Sequence, residues 1–472
     1  MRLFSLLRAS GVAPAKTDAE ITNITDRPDR VQRGTLFVCI HGDRTDGALQ
    51  WARAVERGAL ALVSETPLPF ENTALTPNAR KAYSELCAAF YGRPDQKLRL
   101  IGVTGTNGKT TTAHYIRYLL ERAGCKCALI GTLGADTGAG ETPTGYTTPE
   151  PDTFFAALAA AAENGSDYCV CEVSSQALAQ YRVDGARFRL GVFTNIGSDH
   201  LDYHKTTDRL VEAKCRLCTL SDAMLLNADD AYCDRFAAAA GNKKTALYTC
   251  RAVLADYAAK NIRPNGFYTD YILFNGKALS RVRVNAPGAF SVYNSLAAAA
   301  ACMMEGVPLE TLGPWMATLP QVPGRMQRID KNGVAFIVDF AHTPDALSAA
   351  LTALRPCTGG KLIAVFGCGG DRDKTKRPVM GRIAATLADE VILTSDNPRS
   401  EDPLSIIAEI RGTLPKKYAV FTEPNREAAI RLAYKKAAPG DTVLVAGKGH
   451  ENTQISGGKA LPFSDAAVIE SL

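Results

Sequence analysis

The chain has 472 residues, 46% of them hydrophobic, and a formal net charge of +5. Such a length predicts about two to four domains with ample core, and so mild a charge gives no ground for nucleic-acid binding while suiting a small anionic substrate. The opening MRLFSLLRASGV is too short in apolar residues before Arg8 for a secretory signal, and no apolar run reaches the about 18 residues of a membrane helix, so the reading is a cytoplasmic protein with no membrane insertion.

Residues 1–97 place the short strands TLFVCI and ALALVSE around a helical DGALQWARAVERG and read as a small α/β domain that ends near YGRPDQK. Residues 98–323 alternate apolar strands (LRLIGVTG, CALIGTLG, DYCVCEVSS, RLGVFTNI, AMLLNAD) with amphipathic helices. That alternation predicts a mostly parallel sheet covered on both faces. A second series fills 324–472 with VAFIVDFAH, KLIAVFGCGG, EVILTSDNP and DTVLVAGKG, each ending in a polar, Gly-bearing loop. The fold class is therefore α/β in three domains: a small α/β unit, a central P-loop-type sheet and a Rossmann-like C-terminal sheet. Ligands of such sheets collect at the carboxyl edge of the strands, in those loops. The thirteen cysteines, odd in number and scattered, read as reduced packing residues; Cys215 and Cys218 form a C-x-x-C with no second pair, so packing is preferred there to zinc or redox work.

The segment IGVTGTNGKTTTAHYI joins a buried strand to a helix through a Gly-bearing turn. This arrangement aims backbone N–H groups and a helix N-terminus at one point, where a phosphate is stabilised. Lys109 adds a charge there and the Thr110 hydroxyl can reach Mg²⁺. Val103 stands where the first glycine of the longer phosphate-loop pattern would be, so the motif is a shortened relative of it; a Gly-rich turn with an incidental lysine is the bland alternative. Glu172 follows the strand YCVC, where nucleotide-binding sheets put an acidic Mg²⁺ ligand, and TNIGSDHLDYHK crowds further ligands behind the next strand. His200 lies among them, although Mg²⁺ prefers oxygen and a surface histidine is the plain alternative.

The strings GTNGKTTT, TTPE, EVSSQAL, FTNIGSDHLDYH, EAK, YNSLAA, VPGRMQ, DFAHTPDAL, GCGGDRDKTKRP, TSDNPR and GKGHE occur in that order along nearly the whole chain, and in this it resembles the Mur ligase family. The resemblance implies an ADP-forming, ATP-dependent amide ligase of peptidoglycan precursor synthesis, acting through an acyl phosphate. Gly105, Thr106, Asn107, Gly108, Lys109, Thr110 and Thr111 would cradle the ATP phosphates, with Thr110 and Glu172 on one Mg²⁺ and His200 helping to hold a second. Lys214 would react with CO₂ to give a carbamate, an anionic oxygen donor that supports Mg²⁺; an ordinary helix lysine is the other reading. Asn294 and Arg325 resemble nucleotide contacts, and Asp339 and His342 would reach the ribose and base on domain closure. The acceptor implied is UDP-N-acetylmuramoyl-L-alanyl-D-glutamate, held by Thr147, Thr148, Ser174, Gln180 and Arg182; an extended turn before Pro149 and a helix cap at Ser174 are the alternatives. Arg27, Pro28 and Asp29 stand where the family usually carries Asp-Ser-Arg at the UDP end, and Gln176 replaces a common histidine.

For the added amino acid the resemblance implies meso-diaminopimelate, surrounded by Arg372, Asp396, Asn397, Pro398, Arg399, Gly447 and Glu451. An arginine fork satisfies its second carboxylate in two bonds, which a lysine substrate would leave unpaired. On this resemblance Arg399 would be the selectivity residue, and Glu451 would meet the distal ammonium. A monomer is expected. The competing readings are the L-lysine-adding ligase of the same family, a folate polyglutamate ligase, and a catalytically silent nucleotide-binding regulator of wall synthesis.

Overall fold

The computed structural model describes residues 1–42, 46–197, 199–251, 254–412, 414–415 and 417–472, with residue 48 described by its backbone only. Ser198, inside the string FTNIGSDHLDYH, lies outside the described residues. The first sheet has four strands in sequential order, Asn23–Thr25, Thr35–Val38, Ala59–Ser64 and Thr73–Leu75, all parallel. Helix Ala79–Phe90 starts at Asn78, whose side chain accepts from the Lys81 N–H, an ordinary N-cap. This first lobe does not own a private core. Leu6, Leu36, Tyr83 and Leu86 belong to one buried cluster with Phe154, Phe155 and Leu158 of helix Pro151–Glu163 and with Leu100, Cys169 and Leu217 farther on. Ser84 Oγ bonds the Arg182 carbonyl at 3.0 Å and accepts from the Gly185 N–H at 2.9 Å, so the polar groups trapped in that seam are paired.

The central sheet has eleven strands, and Arg99–Thr104 sits in its middle between Tyr168–Glu172 and Phe188–Phe193, parallel to both. Its strands are buried on both faces, as their near-continuous apolar runs require. The far edge departs from the predicted alternation. Tyr257–Asn265, Tyr268–Phe274 and Leu279–Val284 form an antiparallel meander whose last strand, LSRVRV, buries only alternate residues. Arginines on the solvent face of such an edge break up the apolar run by which a strand is recognised. Helix Ala289–Met304 is buried almost all round, and its alanines let it lie against the phosphate-loop helix Lys109–Arg122.

The C-terminal sheet has six strands in the order Gln327–Lys331, Val334–Asp339, Thr442–Ala446, Leu362–Phe366, Glu390–Leu393 and Ala419–Thr422. Only the first is antiparallel to its neighbour. Its two faces bury separate clusters, around Leu347, Leu351 and Ile410 on one side and Phe336, Val443 and Ile430 on the other. All thirteen cysteines are free thiols, Cys215 and Cys218 included. No helix is long and apolar enough to cross a membrane among the described residues.

The altered segment Arg27-Pro28-Asp29 leads into a short 3₁₀ turn, Pro28–Arg30, with Arg27 paired to Asp29 at 3.0 Å and Arg30 to Asp152 at 3.0 Å. Asp26 lies just before it, with one carboxylate oxygen buried and without a hydrogen-bond partner. Burial, then the charges of Glu150 and Asp152, raises its carboxyl to about 6. A carboxyl whose folded value lies above its unfolded value destabilises the ionised protein, and that cost disappears once both states are protonated. Asp26→Asn is therefore expected to stabilise the fold by about 3 kcal/mol well above pH 6 and by less than about 1 kcal/mol at pH 4. Urea midpoints of both proteins at pH 8 and pH 4 check it; an equal difference at the two pH values would refute the assignment.

Candidate active site

Strand Arg99–Thr104 delivers the chain into residues 105–108, and helix Lys109–Arg122 begins at once. Gly105 and Gly108 both have positive φ, and a Cβ at either would collide, with the Thr194 hydroxyl and the Asn294 side chain respectively. Only glycine fits such positions. The turn is braced from the neighbouring strand end. Thr106 N–H donates to the Asn195 carbonyl at 2.7 Å, Asn107 N–H to Asn195 Oδ1 at 3.0 Å, and Thr194 Oγ1 to the Asn107 carbonyl at 2.7 Å. Lys109 Nζ folds back onto the Gly105 and Thr106 carbonyls, 2.9 Å from each. Lys214, fully buried on helix Thr207–Leu220, donates to the same Gly105 carbonyl at 2.6 Å. Burial and then the Lys109 charge push the Lys214 amine well below the usual lysine range.

Glu172, fully buried at the end of its strand, accepts from Thr110 Oγ1 and Thr132 Oγ1, each at 2.9 Å, while its other oxygen takes the Thr132 N–H at 2.9 Å. This all-oxygen set suits Mg²⁺. Among the described residues no group of three or more His, Cys, Asp or Glu could hold a metal ion, so such an ion would draw its remaining ligands from water and nucleotide phosphates. His200 has φ +59°, and Gln176 Nε2 lies 3.3 Å from its Nδ1. Burial holds its imidazole at about 4, against the opposing pull of Asp199, so it is neutral at pH 7, with Nδ1 facing the Gln176 amide and Nε2 3.5 Å from Asp199. Burial also raises Asp199, but His200 and His342 outweigh it and leave that carboxyl below its ordinary range.

The C-terminal sheet closes the site from the other side. Arg325 Nη2 reaches Thr110 Oγ1 at 3.3 Å, and its guanidinium lies over the Phe340 ring at 4.5 Å. Asp339, at the end of its strand, accepts from the Met326 and Ala341 N–H groups at 2.7 and 2.8 Å. His342 Nε2 lies 3.8 Å from Asp199. Between the two sheets is a cavity of about 620 Å³ whose lining includes Gly108, Lys109, Glu172, Asn294, Arg325, Asp339 and His342. That is room for a nucleoside triphosphate.

Two further groups stand outside this cavity. Thr148 Oγ1 donates to the Glu172 carbonyl at 2.8 Å and accepts from the Ser174 N–H at 3.0 Å. Arg182 bonds the Thr148 carbonyl at 2.8 Å, Gln180 at 2.7 Å and Glu150 at 2.7 Å. Thr147 does line the cavity, and Thr132 Oγ1 bonds it at 3.1 Å, linking the acidic centre to this group. Ser174 also caps helix Ser175–Ala179, so the structural reading of that serine holds as well. The second group gathers at the ends of three adjacent C-terminal strands. Arg399 Nη1 bonds the Gly370 carbonyl at 2.7 Å, and Arg372 Nη1 the Asp371 carbonyl at 3.2 Å. Neither guanidinium forms an ion pair with a carboxylate among the described residues. Asn397 Nδ2 donates to Glu451 at 2.8 Å, and Gly447 lies against Asp396, where a Cβ would press on the carboxylate.

The residues given phosphate, acceptor and amino-acid roles in the sequence thus gather at the strand ends of the two larger sheets, whereas Arg27, Pro28 and Asp29 lie in the first lobe. Sequence reasoning missed Thr132 and Lys448, and met Asp199 only as one of the possible ligands crowded into TNIGSDHLDYHK. The buried Lys448 Nζ spends its donors on Glu451 at 2.6 Å, Asn397 Oδ1 at 2.9 Å and the Thr453 carbonyl at 2.8 Å. Its signal was available, since a lysine inside GKGHE beside a glutamate is a charge partner. Thr132 offered none, because a lone threonine after a strand looks like any turn residue.

A braced phosphate turn, an oxygen-rich acidic centre and a cation-rich pocket at neighbouring strand ends define an enzyme of the ATP-dependent ligase class. Residues 103–302 match the Mur ligase middle domain, and residues 324–449 match the Mur ligase glutamate ligase domain. A UDP-N-acetylmuramoyl-L-alanyl-D-glutamate--2,6-diaminopimelate ligase of Clostridium acetobutylicum is 40% identical over 96% of this chain and 94% of its own. One from Thermosynechococcus vestitus is 41% identical over 98% and 96%. A solved structure of such a ligase superposes with a TM-score of 0.71 at 34% identity, covering 96% of this chain and 94% of the other. The chain belongs to the Mur ligase family.

Proposed function

We propose that this protein joins meso-diaminopimelate to UDP-N-acetylmuramoyl-L-alanyl-D-glutamate at the expense of ATP, in peptidoglycan precursor synthesis. The observation that carries the choice of amino acid is the pair Arg372 and Arg399, two guanidiniums without a carboxylate partner, beside Glu451. A substrate whose far end bears both a carboxylate and an ammonium complements that set. Lysine has no group for the guanidiniums, which disfavours the lysine-adding reading.

The substrate carboxylate is a poor acylating agent until a phosphoryl group is transferred to it from ATP. The resulting acyl phosphate is attacked by the amine of the incoming amino acid, and the tetrahedral adduct collapses with loss of inorganic phosphate. Lys109, Arg325 and the turn and helix start of residues 105–111 neutralise and align the phosphates, through the N–H groups other than those of Thr106 and Asn107, which Asn195 holds, with Asn294 bordering the turn. Thr110 and Glu172 would hold one Mg²⁺ and His200 would help to hold a second, and these ions would supply charge neutralisation of the phosphoryl oxygens. Asp339 and His342 border the nucleotide cavity from the C-terminal side, while Thr147, Thr148, Ser174, Gln180 and Arg182 hold the UDP-linked peptide. Lys214 fits carbamate formation because it is buried and shares one carbonyl with Lys109, which favours the neutral, CO₂-reactive amine. Three domains, 1–97, 98–323 and 324–472, carry the acceptor, the nucleotide and the amino acid. The fused core of the first two makes the third the one that moves on closure. The protein acts as a cytoplasmic monomer.

Phosphate release with the UDP-linked dipeptide, ATP and Mg²⁺ tests this reading, comparing diaminopimelate with lysine. Release with lysine but not with diaminopimelate would overturn the amino-acid assignment, and release with neither would overturn the reaction. ¹³C-bicarbonate should give a carbamate carbon resonance that Lys214→Ala lacks; its absence from the unsubstituted protein removes the carbamate.

A further inference from the structure

The pair of guanidiniums described above has to be held together against its own repulsion. Burial and then the Arg372 charge already depress the Arg399 guanidinium. The two loops that carry them are strained as well: Asp371, next to Arg372, has φ +54°, and Arg399 itself has φ +56°. Non-glycine residues persist in that region only where their surroundings over-determine them.

The surroundings centre on Arg377, a fully buried residue in the first turn of helix Lys376–Leu387. Its guanidinium meets Glu401 fork to fork, Nη1 to Oε2 and Nη2 to Oε1, both at 2.9 Å. Nη1 also reaches Glu409 at 2.7 Å, and Nη2 the Gly369 carbonyl at 3.2 Å. Glu401 lies two residues after Arg399. It also accepts the Asp371 N–H at 2.6 Å and pairs with Lys374 at 3.1 Å. The two loops are further laced by Gly370 N–H to the Asn397 carbonyl at 2.9 Å and Ser400 Oγ to Asp371 at 2.6 Å. From behind, Arg399 N–H bonds the Ile455 carbonyl at 3.0 Å, in the hairpin Thr453–Ser456 and Lys459–Pro462. One carboxylate thus holds both the loop of Arg372 and the loop of Arg399, and one buried fork holds that carboxylate.

We infer that Arg377, acting through Glu401, is a positioning residue that sets the separation of Arg372 and Arg399 and so the selectivity for an amino acid with a terminal carboxylate. The inference rests on the function proposed above. Arg377 touches no substrate; it converts a buried bidentate pair, the geometry lysine cannot reproduce, into the spacing of two other guanidiniums.

Arg377→Lys keeps the charge and loses the fork, and Glu401→Gln keeps the shape and loses the charge. Each is expected to raise KM for diaminopimelate about tenfold and to lower the preference for diaminopimelate over lysine by a similar factor, with KM for ATP and for the UDP-linked dipeptide within about twofold of the parent. The double variant should be little worse than either single one, because both break the same contact. A variant with unchanged KM and preference, or with all three KM values rising together, would overturn the inference. If Arg377→Lys does not fold, Glu401→Gln decides alone, since its side chain is partly exposed at the surface. Failure of the parent protein to use diaminopimelate would instead strike the proposed function.

Discussion

Lys109→Ala is expected to lower kcat for ligation by about 10³-fold while leaving the fold and the binding of the UDP-linked dipeptide intact. The size follows from where the amine sits. Lys109 Nζ hangs from two carbonyls of the phosphate turn, 2.9 Å from each, in a site buried enough to lower its proton affinity. A charge in such a place meets little screening, so its removal is felt most when the transferring phosphoryl group spreads its charge. The fold should survive because the turn is also braced by Thr194 and Asn195, which make four hydrogen bonds to it without Lys109. Steady-state phosphate release and thermal melts of both proteins check this together. Undiminished turnover would remove the phosphate-site assignment and leave room for the catalytically silent regulator.

Arg399→Ala is expected to cost diaminopimelate incorporation about 10²- to 10³-fold in kcat/KM, since an unmatched buried charge costs roughly 2 to 5 kcal/mol. KM for ATP should stay within about twofold, because Arg399 lies outside the nucleotide cavity. Alanine keeps a Cβ at the left-handed position, so the backbone strain is the same in both proteins and the difference reports the lost guanidinium. Arg399→Lys should fall between the two, with charge retained and the fork absent. A collapse of ATP affinity with amino-acid preference unchanged would show that the pocket has been placed on the wrong substrate.

The two sites differ in how far they can be read along the chain. The phosphate turn occupies one stretch, 101–116, where strand, glycines, lysine and helix follow each other. Its chemistry is local, so composition and spacing determine it. The α/β class is legible for a similar reason: apolar runs such as LIAVF and TVLVA, buried on both faces, alternate along the chain with amphipathic helices. The edge meander 257–284 was less visible, because its outer strand Leu279–Val284 alternates exposed arginines with buried valines.

What the sequence by itself determined, then, is a glycine-bearing strand-to-helix turn at 105–108, a carboxylate at the end of the strand Tyr168–Glu172 and three α/β units, all of which depend on neighbours in the chain. Only the tertiary structure decided which side chains hold these groups in place. The strand order sets the ends of Thr442–Ala446, Leu362–Phe366 and Glu390–Leu393 side by side, and so brings Lys448 to Glu451 and Asn397 and Arg377 to Glu401. It likewise lays Thr132 between Thr110, Glu172 and Thr147, and Asp199 between His200 and His342 of a different sheet. The reason is physical: a buried charge is stable only where a partner from another element arrives to meet it, and parallel-strand topology, unlike local spacing, determines which element that is.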